Sequence, residues 1–212
     1  MSTRYSSTLV RRPAFPDLSG LRTTSIGVVA RERESLSLAT VLVRQGRADA
    51  LAQRVRERFQ IELPQRPRRQ AAKDIALIGT GPGAWLATHE CESNDFMLTL
   101  REGLSDLAAL ADQTGGYAVL RLSGPNVRDS LVKLVPVDLH PRAFAVDDAV
   151  STIAAHVGIT LWRLEDDDAG SAVFELAVFR SLAASLWHAL TESAAEFGLG
   201  QAIPMNNFRV LR

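Results

Sequence analysis

The chain has 212 residues, of which 46% are hydrophobic and 23% charged, a composition typical of a globular protein with a sizeable core. Its formal net charge is zero, but residues 1–70 carry 14 arginines against 6 acidic residues, so +8 there balances −8 over residues 71–212. No run approaches the ~18 apolar residues of a membrane-spanning helix, and the single cysteine, Cys91, excludes an internal disulfide and a cysteine-rich metal site.

Residues 1–24 contain prolines, glycine, serines and threonines with little hydrophobic periodicity, which predicts an extended or disordered arm. The amino terminus shows no apolar segment before a small-residue cleavage site, so we expect no signal peptide and a cytoplasmic protein. The arginine excess fits a basic arm that docks on an acidic partner. A GC-rich genome would favour arginine codons as well, and the sequence leaves both explanations open.

Eight arginines lie between residues 44 and 69, where Phe59 is the only aromatic residue. Surfaces that bind single-stranded nucleic acid combine positive charge with several aromatic rings for base stacking. The pattern therefore disfavours nucleic acid as a partner.

The first half of the chain alternates between strand and helix patterns. Strands are predicted at 26–30, 36–43, 74–78, 84–88 and 107–111. An amphipathic helix from Ala48 to Phe59 ends before Pro64 and is followed by a basic loop over 64–73. Ser93 is predicted to cap a second helix. The glycine cluster Gly79–Gly83 lacks the Lys-Ser/Thr of a phosphate-binding loop and the following helix of a dinucleotide fold, so it predicts a hairpin turn.

The middle of the chain reads as a strand, a tight turn and a helix. Residues 117–123 form the strand, Gly124-Pro125 breaks it, and Val127, Leu131 and Leu134 recur at helical spacing. Further strands are predicted at 149–155, 159–164 and 172–179, with a turn at Val157-Gly158 between the first two. A last helix is predicted over 182–197, and Gly198 and Gly200 are expected to end it. The consecutive acids Glu165–Asp168 lack the spacing of a calcium loop and predict a solvated hairpin loop.

This order of elements predicts an α+β fold made of two similar split-βαβ halves, mostly antiparallel, with helices packed on the sheets. We expect one globular domain over 25–200, with halves of about 25–113 and 114–200, and a tail at 201–212. The predicted core includes the residues Leu120, Leu122, Leu131, Val173, Phe179, Leu186 and Leu190.

No constellation of residues predicts catalysis, a cofactor or a metal. The four histidines, His89, His140, His156 and His188, show no metal-ligand spacing. Cys91 lies between Glu90 and Glu92, whose negative charges disfavour a thiolate and so oppose nucleophilic attack. The pair Asp147-Asp148 has no evident partner, so we expect no catalytic, cofactor-binding or metal residues.

Three stretches together resemble the gamma subunit of heterotetrameric sarcosine oxidase. They are Leu120-Arg-Leu-Ser-Gly-Pro-Asn-Val-Arg128 with Val137-Asp-Leu-His-Pro-Arg-Ala-Phe144, Phe179-Arg-Ser-Leu-Ala-Ala-Ser-Leu-Trp-His188 with Ala194-Ala-Glu-Phe-Gly198, and Gly81-Pro-Gly-Ala-Trp-Leu86. The first pair is shared, in weaker form, with the wider aminomethyltransferase-like folate-binding group. The resemblance covers nearly the whole chain after the arm.

The resemblance implies a complex that demethylates sarcosine to glycine, passes the methyl carbon to tetrahydrofolate and produces hydrogen peroxide. It implies FAD and FMN in the beta subunit, NAD and folate handling in alpha, zinc in delta, and no cofactor in gamma, which would pair with the folate domain of alpha. The alternative is a free-standing folate-binding or aminomethyltransferase-like protein. That function needs a carboxylate aimed at the pterin, and Asp112 is the nearest candidate, although its position favours a structural turn residue.

Overall fold

The computed structural model describes residues 12–15, 26–91, 93 and 95–201; most of the predicted arm and the tail after Gln201 lie outside them. The strands are β1 Val28–Glu32, β2 Ser37–Val43, β3 Arg69–Ala72, β4 Ile75–Gly81, β5 Ala84–His89, β6 Ala108–Asp112, β7 Tyr117–Ser123, β8 Ala149–Ala154, β9 Val157–Leu164, β10 Val173–Phe179 and β11 Leu199–Gln201. The helices are α1 Ala48–Phe59, α2 Asp95–Leu104, α3 Val127–Leu131 and α4 Ala183–Ala194, with a short 3-10 turn over Arg180–Leu182.

The strands form two sheets, in the orders β11-β1-β7-β10-β9-β8 and β3-β4-β5-β2-β6. All pairs are antiparallel except β1 with β11. The sheets pack face to face through side chains such as Leu38 and Ile78 from one and Trp162 and Ala177 from the other. Helices α1 and α2 cover the outer face of the five-stranded sheet, and α3 and α4 that of the six-stranded sheet. The predicted α+β class is confirmed.

Strand β10 shows how the alternating pattern produces these layers. Phe174, Leu176 and Val178 pack against the helices, whereas Ala177 faces the other sheet. Both faces of the strand are covered, which explains why it is apolar on both sides. Among the predicted core residues, Phe179 is wrong because it is 50% exposed at the end of the strand, where it lines an open apolar cavity.

Three predicted boundaries differ from the structure. Strand β1 belongs to the six-stranded sheet rather than to the first half, because it pairs with β7 and β11. Strand β3 lies within the predicted basic loop and pairs with β4 at the sheet edge. The turn between β8 and β9 is at Ala155 and His156, which have φ of 45° and 75°, so Val157 and Gly158 are strand residues.

The two glycines predicted to close the last helix have separate roles. Gly198, with φ of 77°, follows the end of α4, whereas Gly200 lies in β11, where an added Cβ would come within 2.8 Å of the Ile26 side chain. The residue pattern identified the helix end and missed the strand because a three-residue strand carries no periodicity. The middle helix, α3, is also shorter than predicted and ends at Leu131.

Residues 12–15 of the predicted arm are packed onto the domain. Phe15 is buried, and its ring meets that of Trp187 edge-on with centroids 6.1 Å apart. The backbone N–H groups of Ala14 and Phe15 donate to the Glu32 carboxylate at 2.9 and 3.1 Å. This part of the arm is therefore held by the six-stranded sheet and α4.

Candidate functional site between the two sheets

A buried carboxylate, Glu175, lies between the sheets. One oxygen accepts hydrogen bonds from Arg33 and from Arg121, whose Nε is 2.9 Å away, and the other accepts from the Trp162 Nε1 at 3.0 Å. Arg33 also pairs with the more exposed Glu90. Because its side chain is only 6% exposed and both oxygens accept hydrogen bonds, this carboxylate acts as a structural acceptor within the fold.

A charged cavity of about 470 Å³ opens beside Arg121. Arg69 reaches it from the five-stranded sheet and pairs with Asp147 at 3.1 Å. Acidic residues of the loop between β9 and β10, among them Glu165 and Asp166, line its other side. The cavity thus presents both signs of charge.

An apolar cavity of about 430 Å³ lies at the opposite end of the same strands. Its walls include Tyr117 and Phe179, whose rings stack with centroids 4.6 Å apart, and Ile153. Phe179 and Ile153 are 50% and 51% exposed. Burial raises the pKa of the Tyr117 hydroxyl. Exposed clusters of large apolar side chains are typical of interaction surfaces.

The carboxylates considered from the sequence hold the local structure. Asp147 pairs with Arg69, and Asp148 pairs with Arg68 at 3.6 Å while also accepting from the Ala145 N–H at 2.9 Å. The Asp112 carboxylate accepts from the Thr114 N–H at 2.9 Å and forms a turn. The structure brings none of these three carboxylates to Glu175.

The acidic run and the glycine cluster are both hairpin loops, as predicted. Asp167 accepts from the N–H groups of Ala169 and Ser171 at 3.0 and 2.8 Å and closes the loop between β9 and β10. Gly79–Gly83 connects the antiparallel strands β4 and β5. Neither segment is arranged as a calcium loop or a phosphate loop.

The histidines lie in separate places. The Nδ1 atoms of His89 and His140 accept from nearby backbone N–H groups at 3.3 and 3.2 Å, His156 lies in the β8–β9 turn, and exposed His188 is 3.3 Å from Glu192. Within the described residues, no group of three or more His, Cys, Asp or Glu side chains could hold a metal ion. No helix in that part of the chain is long and apolar enough to cross a membrane.

Sequence reasoning missed the Glu175 cluster. The available signal was a glutamate on the inward side of an otherwise apolar strand, Val173-Phe-Glu-Leu-Ala-Val-Phe179, together with Arg121 in the apolar strand β7. The register places Arg121 opposite Glu175, with Trp162 opposite on the other side. A pattern of single residues cannot show this three-strand alignment.

The charge asymmetry along the chain is largely neutralised within the fold. Five arginines of residues 1–70 form ion pairs with acids of residues 71–212: Arg33 with Glu90 and Glu175, Arg54 with Asp106, Arg58 with Glu102, Arg68 with Asp148 and Arg69 with Asp147. The two parts of the chain are thus electrostatically complementary. Much of the +8 excess therefore needs no external acidic partner.

A family model described as the sarcosine oxidase gamma subunit family matches residues 44–196. The sarcosine oxidase subunit gamma of Arthrobacter sp. is 36% identical over 94 residues, which are 44% of this chain and 46% of that protein. The namesake from Corynebacterium sp. strain P-1 is 35% identical over 94 residues, with the same shares of 44% and 46%. The matched part thus spans a little under half the length of these curated relatives.

Two solved structures share the fold. A chain of the heterotetrameric sarcosine oxidase from Corynebacterium sp. U-96, in complex with pyrrole 2-carboxylate, superposes with a TM-score of 0.71 at 22% identity, over 86% of this chain and 91% of that one. The glycine cleavage system aminomethyltransferase T from Bartonella henselae gives a TM-score of 0.58 at 11% identity, over 84% of this chain and 48% of that one. At these identities the likeness concerns the fold.

Proposed function

The chain belongs to the sarcosine oxidase gamma subunit family, and from this membership we propose that it is the non-catalytic subunit of a heterotetrameric sarcosine oxidase. The match over residues 44–196 is the observation that carries the proposal, because it includes all four described helices and eight of the eleven described strands, with members of both sheets. The likeness to a chain of the Corynebacterium enzyme supports it at the level of the fold.

The proposed complex oxidises sarcosine to glycine. Sarcosine loses two electrons to flavin, its methyl carbon passes to tetrahydrofolate, and dioxygen takes the two electrons to give hydrogen peroxide. FAD, FMN, NAD, tetrahydrofolate and zinc belong to the alpha, beta and delta subunits in this proposal. The present chain would contact mainly the folate domain of alpha in the cytoplasm.

The engagement of the candidate carboxylates supports a non-catalytic role for this chain. Glu175 accepts from two arginines and a tryptophan, Asp147 and Asp148 form ion pairs, and Asp112 closes a turn. Each of these groups is occupied in holding the fold. The turn position of Asp112 also argues against the alternative of a free-standing folate-binding protein, which would need a carboxylate directed at the pterin.

Co-purification tests the proposal. The tagged full-length chain, expressed at native level, should retain three further subunits, and the eluate should carry a flavin absorbance band and produce hydrogen peroxide when sarcosine is added. The chain expressed alone should show neither property. Recovery of the chain without partners at native expression, or sarcosine turnover by the chain alone, would refute it.

A further inference from the structure

Two arginines, Arg128 and Arg163, neighbour Phe174 on the helix-covered side of the six-stranded sheet. Arg163 of β9 is directly opposite Phe174 of β10. The Arg128 guanidinium carbon, from α3, is 5.2 Å from the centroid of the Phe174 ring. Arg128 is held there by a hydrogen bond to the Leu139 carbonyl. The Arg128 cation therefore lies over the ring of the residue paired with Arg163, where cation–π attraction favours its positive charge.

The positive charges are only partly balanced. Asp166 accepts from Arg163 at 2.5 Å, but it lies on an exposed loop, and its side chain is 45% exposed. The Arg163 side chain is only 9% exposed, and its Nε has no hydrogen-bond partner. Burial lowers the pKa of Arg128, the charge of Arg163 lowers it further, and the charge of Asp166 raises it. The cluster thus holds two cations, one carboxylate and one unsatisfied buried donor.

The second arginine pair of the fold provides a comparison. Arg33 and Arg121 enclose Glu175, whose carboxylate accepts from both, so the charges there are joined by a central acceptor. Buried guanidinium groups are normally paired in this way. Between Arg128 and Arg163 the corresponding acceptor is absent among the described residues.

We propose that Arg128 and Arg163 form an oxyanion-binding site, whose ligand is a carboxylate or phosphate group. Guanidinium groups present forked N–H donors that match the two oxygens of such a group, and a bound oxyanion would balance the second positive charge. The group would come either from a free anion or from an acidic side chain of a neighbouring subunit. The site depends on this chain's own residues and not on the proposed function.

Equilibrium dialysis of the full-length chain with radiolabelled inorganic phosphate tests the site, with sodium chloride adjusted to keep ionic strength constant. We expect saturable binding of one phosphate per chain. Arg128→Gln and Arg163→Lys should each weaken phosphate binding roughly tenfold or more. Arg128→Gln removes a charge-assisted hydrogen bond, and Arg163→Lys removes the guanidinium group that donates two hydrogen bonds to one ligand. The exposed Arg142→Lys, on the loop that follows Leu139, is the matched control and should change binding less than about twofold.

A second readout reports on the residue directly. In the ¹⁵N-labelled chain, the Arg163 Nε–H signal, assigned by its loss in Arg163→Lys, should shift with phosphate and not with chloride. An unmoved signal, or non-saturable binding that Arg142→Lys reduces equally, would overturn the site. Dialysis of the co-purified assembly distinguishes the sources: retained binding identifies a free anion, and binding lost on assembly identifies a subunit carboxylate.

Discussion

The indole of Trp162 donates a hydrogen bond to the Glu175 carboxylate at 3.0 Å from the directly opposite position on the neighbouring strand. This pair lies in the layer between the two sheets, where the carboxylate also meets Arg33 and Arg121. Three strands, β7, β9 and β10, and the segment after β1 are thereby tied together by one buried charge. Because Glu175 and its three partners bond to one another, we expect changes in this cluster to alter the stability of the fold.

Replacing Glu175 by Gln should destabilise the fold by about 3–5 kcal/mol, since two arginines would lose their shared buried counter-charge. The free energy of unfolding in urea measures this effect. Glu90→Gln is the matched control, because Glu90 also pairs with Arg33 but its side chain is 43% exposed. We expect a loss of at most about 1 kcal/mol there. Equal losses in the two variants would contradict a special role for Glu175.

Replacing Leu186 by Ala should cost about 2–5 kcal/mol, because Leu186 is 1% exposed in the core between α4 and the six-stranded sheet, and truncation leaves a cavity. Leu182→Ala, in the 3-10 turn before the same helix, is the control, since Leu182 is 38% exposed. Thermal and urea unfolding of both variants measure the difference. A Leu186→Ala protein as stable as the control would place this side chain outside the core.

Tyr117 should ionise at higher pH than an ordinary tyrosine, because burial against Phe179 raises its pKa. Because the pKa of the Tyr117 hydroxyl is lower in the unfolded chain, the unfolded chain loses this proton at lower pH than the folded chain does. The contribution of neutral Tyr117 to the free energy of unfolding is therefore complete below the unfolded-state pKa and is lost as pH rises through the folded-state pKa. The chain has two tyrosines, and absorbance at alkaline pH should resolve a delayed step that Tyr117→Phe removes. A single step at the ordinary tyrosine pKa would contradict the expectation.

The first residues of the chain should contribute to assembly separately from folding. The arm predicted over residues 1–24 implies that deleting residues 1–22 leaves the fold intact, but that deletion would remove Phe15, which is buried. Deleting 1–11 should leave the unfolding midpoint unchanged and lower partner recovery in pull-downs, more so at low salt, if the arm's arginines contact the partner. If full-length and shortened chains recover equal amounts of the partner at both salt levels, residues 1–11 do not contribute to assembly.

The packed part of the arm has its own test. Glu32→Gln weakens the acceptor for the Ala14 and Phe15 N–H groups, so hydrogen exchange at these two amides should speed up severalfold while core amides are unaffected. Glu90→Gln, which removes a carboxylate paired with Arg33 and not with this segment, serves as a comparison. Unchanged exchange at Ala14 and Phe15 would show that the Glu32 contact does not hold this segment.

The sequence alone determined the elements whose information is local. The 3.6-residue period defined α1 and α4, and the glycines and acids at 79–83 and 165–168 identified hairpin loops. Periodicity and turn chemistry are properties of neighbouring residues, so they can be read without a structure. The residue spacing indicated no catalytic site. The resemblance to the family came instead from three sequence stretches that are typical of it.

Only the tertiary structure decided which distant segments meet. The membership of β1 in the six-stranded sheet and the existence of β11 depend on backbone hydrogen bonds to remote strands. The Glu175 cluster and the Arg128–Arg163 pair depend on the registers of β7, β9 and β10 and on the helix laid over them. The physical reason is that strands pair through backbone N–H and C=O groups, which are nearly the same in every residue. Which strand pairs with which is therefore decided by the burial of the apolar faces of the complete sheet, which local sequence does not show.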